Sequence, residues 1–141
     1  MPLRIEEFMR HQQRLERAES RVFVSLWGGA LGAVIRGDWL LAGSHLDLIG
    51  SFTPLMREAD DGCFAGASLD VGDAEALQKS GDLIGPLQRG VFAASDVRGT
   101  LAMLANGEAT GLRDVDERTV FKSVGIALED LAAARLVYEG A

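Results

Sequence analysis

A chain of 141 residues, 48% hydrophobic and 25% charged, is long enough for one domain with a core of its own. Fourteen basic residues against twenty-one acidic ones give a formal net charge of -7, which repels a phosphate backbone and excludes nucleic acid as a partner. A single cysteine, Cys63, and two isolated histidines, His11 and His45, provide no disulfide and no metal-ligand spacing. No apolar run approaches the ~20 residues needed to span a bilayer and no signal-peptide core opens the chain, so no membrane is expected and a reducing cytoplasm is the expected compartment.

In chain order, Ile5 to Ser20 is charged and helical in pattern, with a thin apolar face of Ile5, Phe8, Met9 and Leu15. Arg21 to Leu26 (RVFVSL) is β-branched and reads as a strand. WGGALGAV follows, and Gly37-Asp38 marks a turn. Ser44 to Ile49 (SHLDLI) reads as a buried strand ending at Gly50. Pro54 blocks a helix, and MREADDGCFAGA reads as a short helix or an acidic turn. Ala67 to Val71 is a further strand.

Asp73 is the expected N-cap of a helix closing at Gly81, and Asp82 to Pro86 reads as a loop or short strand. Ser95 is the expected N-cap of a helix through DVRGTLAMLANG that closes at Gly107. Arg118 to Ser123 (RTVFKS) is a strand. Val124 to Glu139 is the strongest helix, with Leu128, Leu131, Ala134 and Tyr138 on one stripe. Short strands alternating with helices predict an α/β fold with a largely parallel sheet.

Three places could carry chemistry. WGGALG follows a strand with Gly29 and Gly32 spaced like the last two glycines of a dinucleotide fingerprint, and Asp47 lies downstream. However, Trp27 stands where the first glycine belongs, and Gly37-Asp38 breaks the stretch where a crossover helix would run. A packed or flexible glycine loop is the better expectation. The turn at Gly50-Ser51 lies at a strand's carboxyl end, where open α/β sheets bind ligands. A glycine there admits a flat ring and Ser51 offers a hydroxyl. Asp47, Asp60 and Asp61 are the nearby acids, each also explicable as a solvated or capping carboxylate. In FKSVG (Phe121 to Gly125) a strand meets a helix, so Ser123 is either an anion or amide site or a simple N-cap.

Three runs taken together carry a resemblance. RGDWLLAGSHLDLIGSFTPLMREADD (Arg36 to Asp61), DAEALQKSGDLIGP (Asp73 to Pro86) and DERTVFKSVGIALEDLAAARLVYEGA (Asp116 to Ala141) occur in order and with matching spacing. From about Gly37 onward they resemble the second half of the ornithine cyclodeaminase/mu-crystallin family, TVFKSVGIALEDLAAA being the most specific part. The resemblance implies a partial Rossmann-type domain, doubly wound and mostly parallel. It corresponds to the second half of the family's NAD(P)-binding domain plus the C-terminal helix. Residues 1–20 then form a separate N-terminal helix and residues 21–141 the partial cofactor domain.

By position, the resemblance makes Ile49, Gly50, Ser51 and Ser123 contacts to NAD or NADP, and Val124 a substrate-pocket position. Where cyclodeaminases carry an acid/base aspartate, this chain has Phe52, and Met56 stands where they carry a lysine, beside Arg57. A phenylalanine moves no proton. No catalytic residue is therefore secure, though Asp47 or Asp60 could stand in as the acid. The implied activity shifts from ornithine cyclodeamination toward reduction of a cyclic imine such as pyrroline-2-carboxylate, with an amino acid or its imine as substrate.

The sequence lacks the family's Gly-rich phosphate loop and substrate-clamping basic residues, so the chain reads as truncated. A non-catalytic remnant, or a module for ligand binding or oligomerisation, stays open beside the enzyme. A half sheet with an open edge predicts a homo-oligomer.

Overall fold

A computed structural model describes residues 22–25 and 32–140. The predicted helix at residues 5–20 and most of the WGGALG loop lie outside the described residues. Among the described residues five strands form one sheet: β1 (Val22–Ser25), β2 (His45–Leu48), β3 (Ser68–Val71), β4 (Val97–Thr100) and β5 (Thr119–Lys122). Their spatial order is β1-β2-β5-β3-β4 and every pairing is parallel. The chain thus leaves a gap between β2 and β3 that β5 returns to fill. Strand order reverses there, and such reversals are where open α/β sheets form their crevice.

Alternation divides the sheet into two faces. Leu46 and Leu48 on β2, Val120 on β5, and Leu69 and Val71 on β3 point to one side, in register with Phe23 on β1. Here Leu40, Ala59, Cys63, Phe64, Ala76 and Leu83 complete the core. Of the short helices on this side, α1 (Asp61–Phe64) buries Cys63 and Phe64, α2 (Ala76–Lys79) buries Ala76, and α3 (Gly81–Gln88) buries Leu83 and Pro86. The other face presents Val22, Val24, His45, Asp47, Thr119 and Phe121. Val22 and Val24 are each more than half exposed.

Two sequence expectations fail for physical reasons. Asp82 to Pro86 is neither loop nor strand but the middle of helix α3, capped by the Ser80 hydroxyl, which accepts from the Asp82 amide. Glycine and proline are poor helix formers. Packing of Leu83 and Pro86 into the core outweighs that preference. Likewise, no helix starts at Ser95: residues 97–100 form β4 against β3, and Thr100 caps the helix α4 (Leu101–Ala105) by accepting from the Met103 amide. Gly99 suits the strand because a Cβ there would lie 2.7 Å from the Ala109 Cβ. Asp73 does accept from the Glu75 amide, but its helix α2 ends at Lys79 and Gly81 opens the next one.

The last helix, α5 (Ala127–Gly140), starts three residues later than predicted, because Gly125 takes a left-handed conformation (φ 75°) between it and β5. None of its residues is buried. Among the described residues no helix is long and apolar enough to cross a membrane.

Candidate functional site

Parallel pairing brings the carboxyl ends of four strands level. Just past them the Ile49 amide donates to the Ser25 carbonyl at 2.9 Å, Ser123 to Leu48 at 3.0 Å, and Gly72 to Lys122 at 2.9 Å. The turn at residues 49–51 and Ser123 are therefore side by side, where β2 and β5 adjoin and strand order reverses. Gly50 is buried, Ile49 and Val124 are half-buried, and Phe52 is about half exposed at 52%. The Ser123 hydroxyl accepts from the Gly125 amide at 3.1 Å, which leaves its own proton available to donate. A Cβ on Gly72 would approach that oxygen to 2.8 Å, so glycine there makes room for Ser123.

Ser51 faces inward. Fully buried, its hydroxyl donates to the Met56 carbonyl at 2.7 Å and lies 3.0 Å from the Ser80 hydroxyl. No atom of Ser51 is therefore exposed to a ligand, and the residue shapes the turn from within.

Beneath this turn lies a charged cluster with no solvent exposure. Glu58 Oε1 accepts from the Ser25 hydroxyl at 2.6 Å, and Glu58 Oε2 accepts from the Ser51 amide at 2.8 Å and from Lys122 Nζ at 3.0 Å. Asp82 Oδ1 accepts from the amides of Glu58 (2.8 Å) and Ala59 (3.0 Å). Its other oxygen, Oδ2, is 3.4 Å from Lys122 Nζ, in ion-pair range but without a hydrogen bond. Glu58, Asp82 and Lys122 are each 0% exposed at the side chain. Burial pushes the Asp82 carboxyl above its ordinary range, against the opposing pull of its amide partners and Lys122. Two acids facing one buried base make a cluster that only good geometry sustains.

Sequence reasoning did not single out Glu58, Asp82 or Lys122. One signal was present: Lys122 sits two residues after Val120 on a strand whose alternate positions face the core, and a lysine there requires a buried partner.

The other acids have defined work. Asp60 caps α1, accepting from the Cys63 amide, and also takes the Gly37 amide at 2.9 Å. Asp61 accepts two hydrogen bonds from Arg89, each 2.7 Å, and pairs with Arg57; Arg89 first and Arg57 second hold its carboxyl down at about 2. Asp47 lies half-buried on the opposite face of the sheet, and burial raises its pKa. Cys63 is pushed up to about 12 by burial and by Asp60, so it is no nucleophile near neutrality.

A cavity of about 450 Å³ opens on that opposite face, lined by His45, Asp70, Thr119, Phe121, Leu101 and Leu104 among others, and it contains none of the strand-end residues. Among the described residues no group of three His, Cys, Asp or Glu is placed to hold a metal ion.

The sequence model of the ornithine cyclodeaminase/mu-crystallin family matches residues 11–141. Protein SAR DEFICIENT 4 of Arabidopsis thaliana is 40% identical over 106 residues, which are 75% of this chain and 33% of that protein. The structure of Thermococcus litoralis Delta(1)-pyrroline-2-carboxylate reductase in complex with NADH and L-proline superposes with a TM-score of 0.79 at 31% identity. It covers 91% of this chain and 39% of that one. An archaeal alanine dehydrogenase dimer with bound NAD gives a TM-score of 0.77 at 26% identity, covering 96% of this chain and 45% of that one. The chain thus spans about a third of the curated relative and less than half of each solved structure.

Proposed function

This chain belongs to the ornithine cyclodeaminase/mu-crystallin family, and from that premise we propose that it forms the nicotinamide-facing half of an NAD(P)-dependent oxidoreductase acting on an amino acid or its cyclic imine. The observation that carries this reading is the juxtaposition of the Gly50-Ser51 turn and Ser123 at adjoining strand ends, tied by the 3.0 Å bond from the Ser123 amide to Leu48.

The residues fit one end of the cofactor. Ser123 has a hydroxyl proton to give to a carboxamide oxygen, and the buried Gly50 presents backbone without a side chain to a flat ring. Ile49 would contribute a backbone contact, the buried Ser51 would hold the turn in shape from within, and Val124 would border the substrate. For the pyrophosphate end, no Gly-rich loop opening a helix is found among the described residues. When bound, the nicotinamide supplies hydride exchange with the α-carbon. Phe52 holds no proton to move, which favours imine reduction, with its proton taken from water or another acid, over ring closure with loss of ammonia.

A homo-oligomer in the cytoplasm completes the reading. Its support is α5, on which Leu128, Leu131, Leu136, Val137 and Tyr138 are all at least 64% exposed. We likewise retain residues 21–141 as the partial cofactor domain, a limit that limited proteolysis would test.

Titration with NADH and NADPH, followed by nicotinamide fluorescence, tests the cofactor. Saturable binding is expected, and Ser123→Ala should weaken it by about tenfold, the loss of one hydrogen bond of about 1.4 kcal/mol. Absence of binding at millimolar cofactor would remove the oxidoreductase reading for the chain alone and leave the remnant. Unchanged affinity in Ser123→Ala would remove that residue from the site. NADPH oxidation on adding pyrroline-2-carboxylate tests the substrate class.

A further inference from the structure

Glu58 touches three strand ends with one carboxylate. Its oxygens receive the Ser25 hydroxyl at the end of β1, the Ser51 amide just beyond β2, and Lys122 Nζ at the end of β5. We propose that Glu58 is a positioning residue whose carboxylate, paired with Lys122, clamps the Gly50-Ser51 turn in place beside Ser123. The consequence for cofactor binding rests on the function proposed above.

The clamp is anchored at both ends. The Glu58 backbone amide is held by Asp82 Oδ1, and the Ala59 amide is held by the same oxygen. Gly81, next to Asp82, approaches the turn segment so closely that a Cβ would lie 2.3 Å from the Met56 carbonyl and 2.5 Å from that of Pro54. The Glu58 side chain then reaches back seven residues to the Ser51 amide. Lys122 directly precedes Ser123, so the pair joins the two segments that flank the proposed site. Ser51, Glu58, Asp82 and Lys122 are fully buried and Ser25 is nearly so, which leaves little solvent to compete for these hydrogen bonds. A group serving only to fill the core would need none of these charges, since hydrophobic packing of similar volume is as stable or more so.

Glu58→Gln tests the clamp, because it keeps the shape and removes the charge that holds Lys122 and the Ser51 amide together. Amide hydrogen exchange read by NMR on the full chain should show the Ser51 amide accelerated about tenfold or more beyond whatever change Val71 and Val120 show, since those core amides report the global loss of stability. NADH affinity should fall by about tenfold in the same variant.

Equal acceleration at all three amides would mean that Glu58 is merely structural, and an unchanged Ser51 amide would mean that it clamps nothing. Either result overturns the proposal. If the wild-type chain binds no NADH, the cofactor reading falls, and the exchange data still decide the clamp by the same two criteria. Should Glu58→Gln fail to fold, Glu58→Gln/Lys122→Met removes both charges at once. It carries the same expectation of local loosening at Ser51 and the same overturning results.

Discussion

The cluster under the strand ends and the helix α5 invert the usual distribution of residues. The first encloses Glu58, Asp82 and Lys122 without solvent exposure, and the second leaves Leu128, Leu131, Leu136, Val137 and Tyr138 in water. Ordinary folding places charge outside and large apolar side chains inside. In the cluster each charge is met by fixed donors and acceptors, so the arrangement is specific and intolerant of change. On α5 the large apolar side chains pack against nothing, and a 14-residue helix without a packed face is marginal in water. One region is finished by the chain itself. The other leaves apolar side chains that the proposed oligomer would cover.

The sharpest way to break this contrast is to remove one partner from the cluster. Lys122→Met should destabilise the protein by about 3–5 kcal/mol, because Glu58 and Asp82 are left as facing acids without a base. Chemical denaturation would show it, and a loss below about 1 kcal/mol would mean that the buried charges are not held as described.

Acid titration separates buried from peripheral carboxylates. Asp61, held low by Arg89 and Arg57, and Glu117, held low by Arg98 and Ser68, both lie near about 2. Since the unfolded values are higher, their contribution is complete above about pH 4 and is lost as pH falls toward 2. Asp82 has the opposite sign. With its folded pKa raised, its contribution is present at low pH and is lost as pH rises through the folded value. Denaturation midpoints followed from pH 2 to 8 should therefore show an acid limb that Asp61→Asn and Glu117→Gln flatten. An unaltered limb would mean that these ion pairs do not shape it.

The smallest effect on stability belongs to α5. Leu128→Asp with Leu131→Asp should change the unfolding free energy of the monomer by no more than about 0.5 kcal/mol per site, as for surface positions. The same pair should convert the proposed oligomer into monomer on size-exclusion chromatography. A wild-type chain that already elutes as a compact monomer would defeat that expectation.

Four of the five strands were legible because β-branched and apolar runs such as RVFVSL and RTVFKS announce themselves. β4 was not: VRGT contains a glycine and an arginine, and it becomes a strand only by pairing with β3 and by the close approach of Ala109 to Gly99. Helix α3 was hidden by Gly85 and Pro86, whose local preferences point away from a helix that tertiary packing nevertheless imposes. Of the candidate site, the Gly50-Ser51 turn and Ser123 could be named from strand-end position and resemblance. That the Ser51 hydroxyl turns inward could not.

By itself, then, the sequence determined the α/β class, the parallel sheet and the family, all of which rest on local periodicity, turn residues and short motifs. Only the tertiary structure decided which distant side chains share a site. Glu58 lies 64 positions from Lys122 and its amide 24 positions from the Asp82 carboxylate, yet the packing of a loop, helix α3 and strand β5 brings all three into one cluster. The reason is physical: strand register fixes neighbours far apart in the chain, and nothing in local composition encodes which strand will fill the gap between β2 and β3.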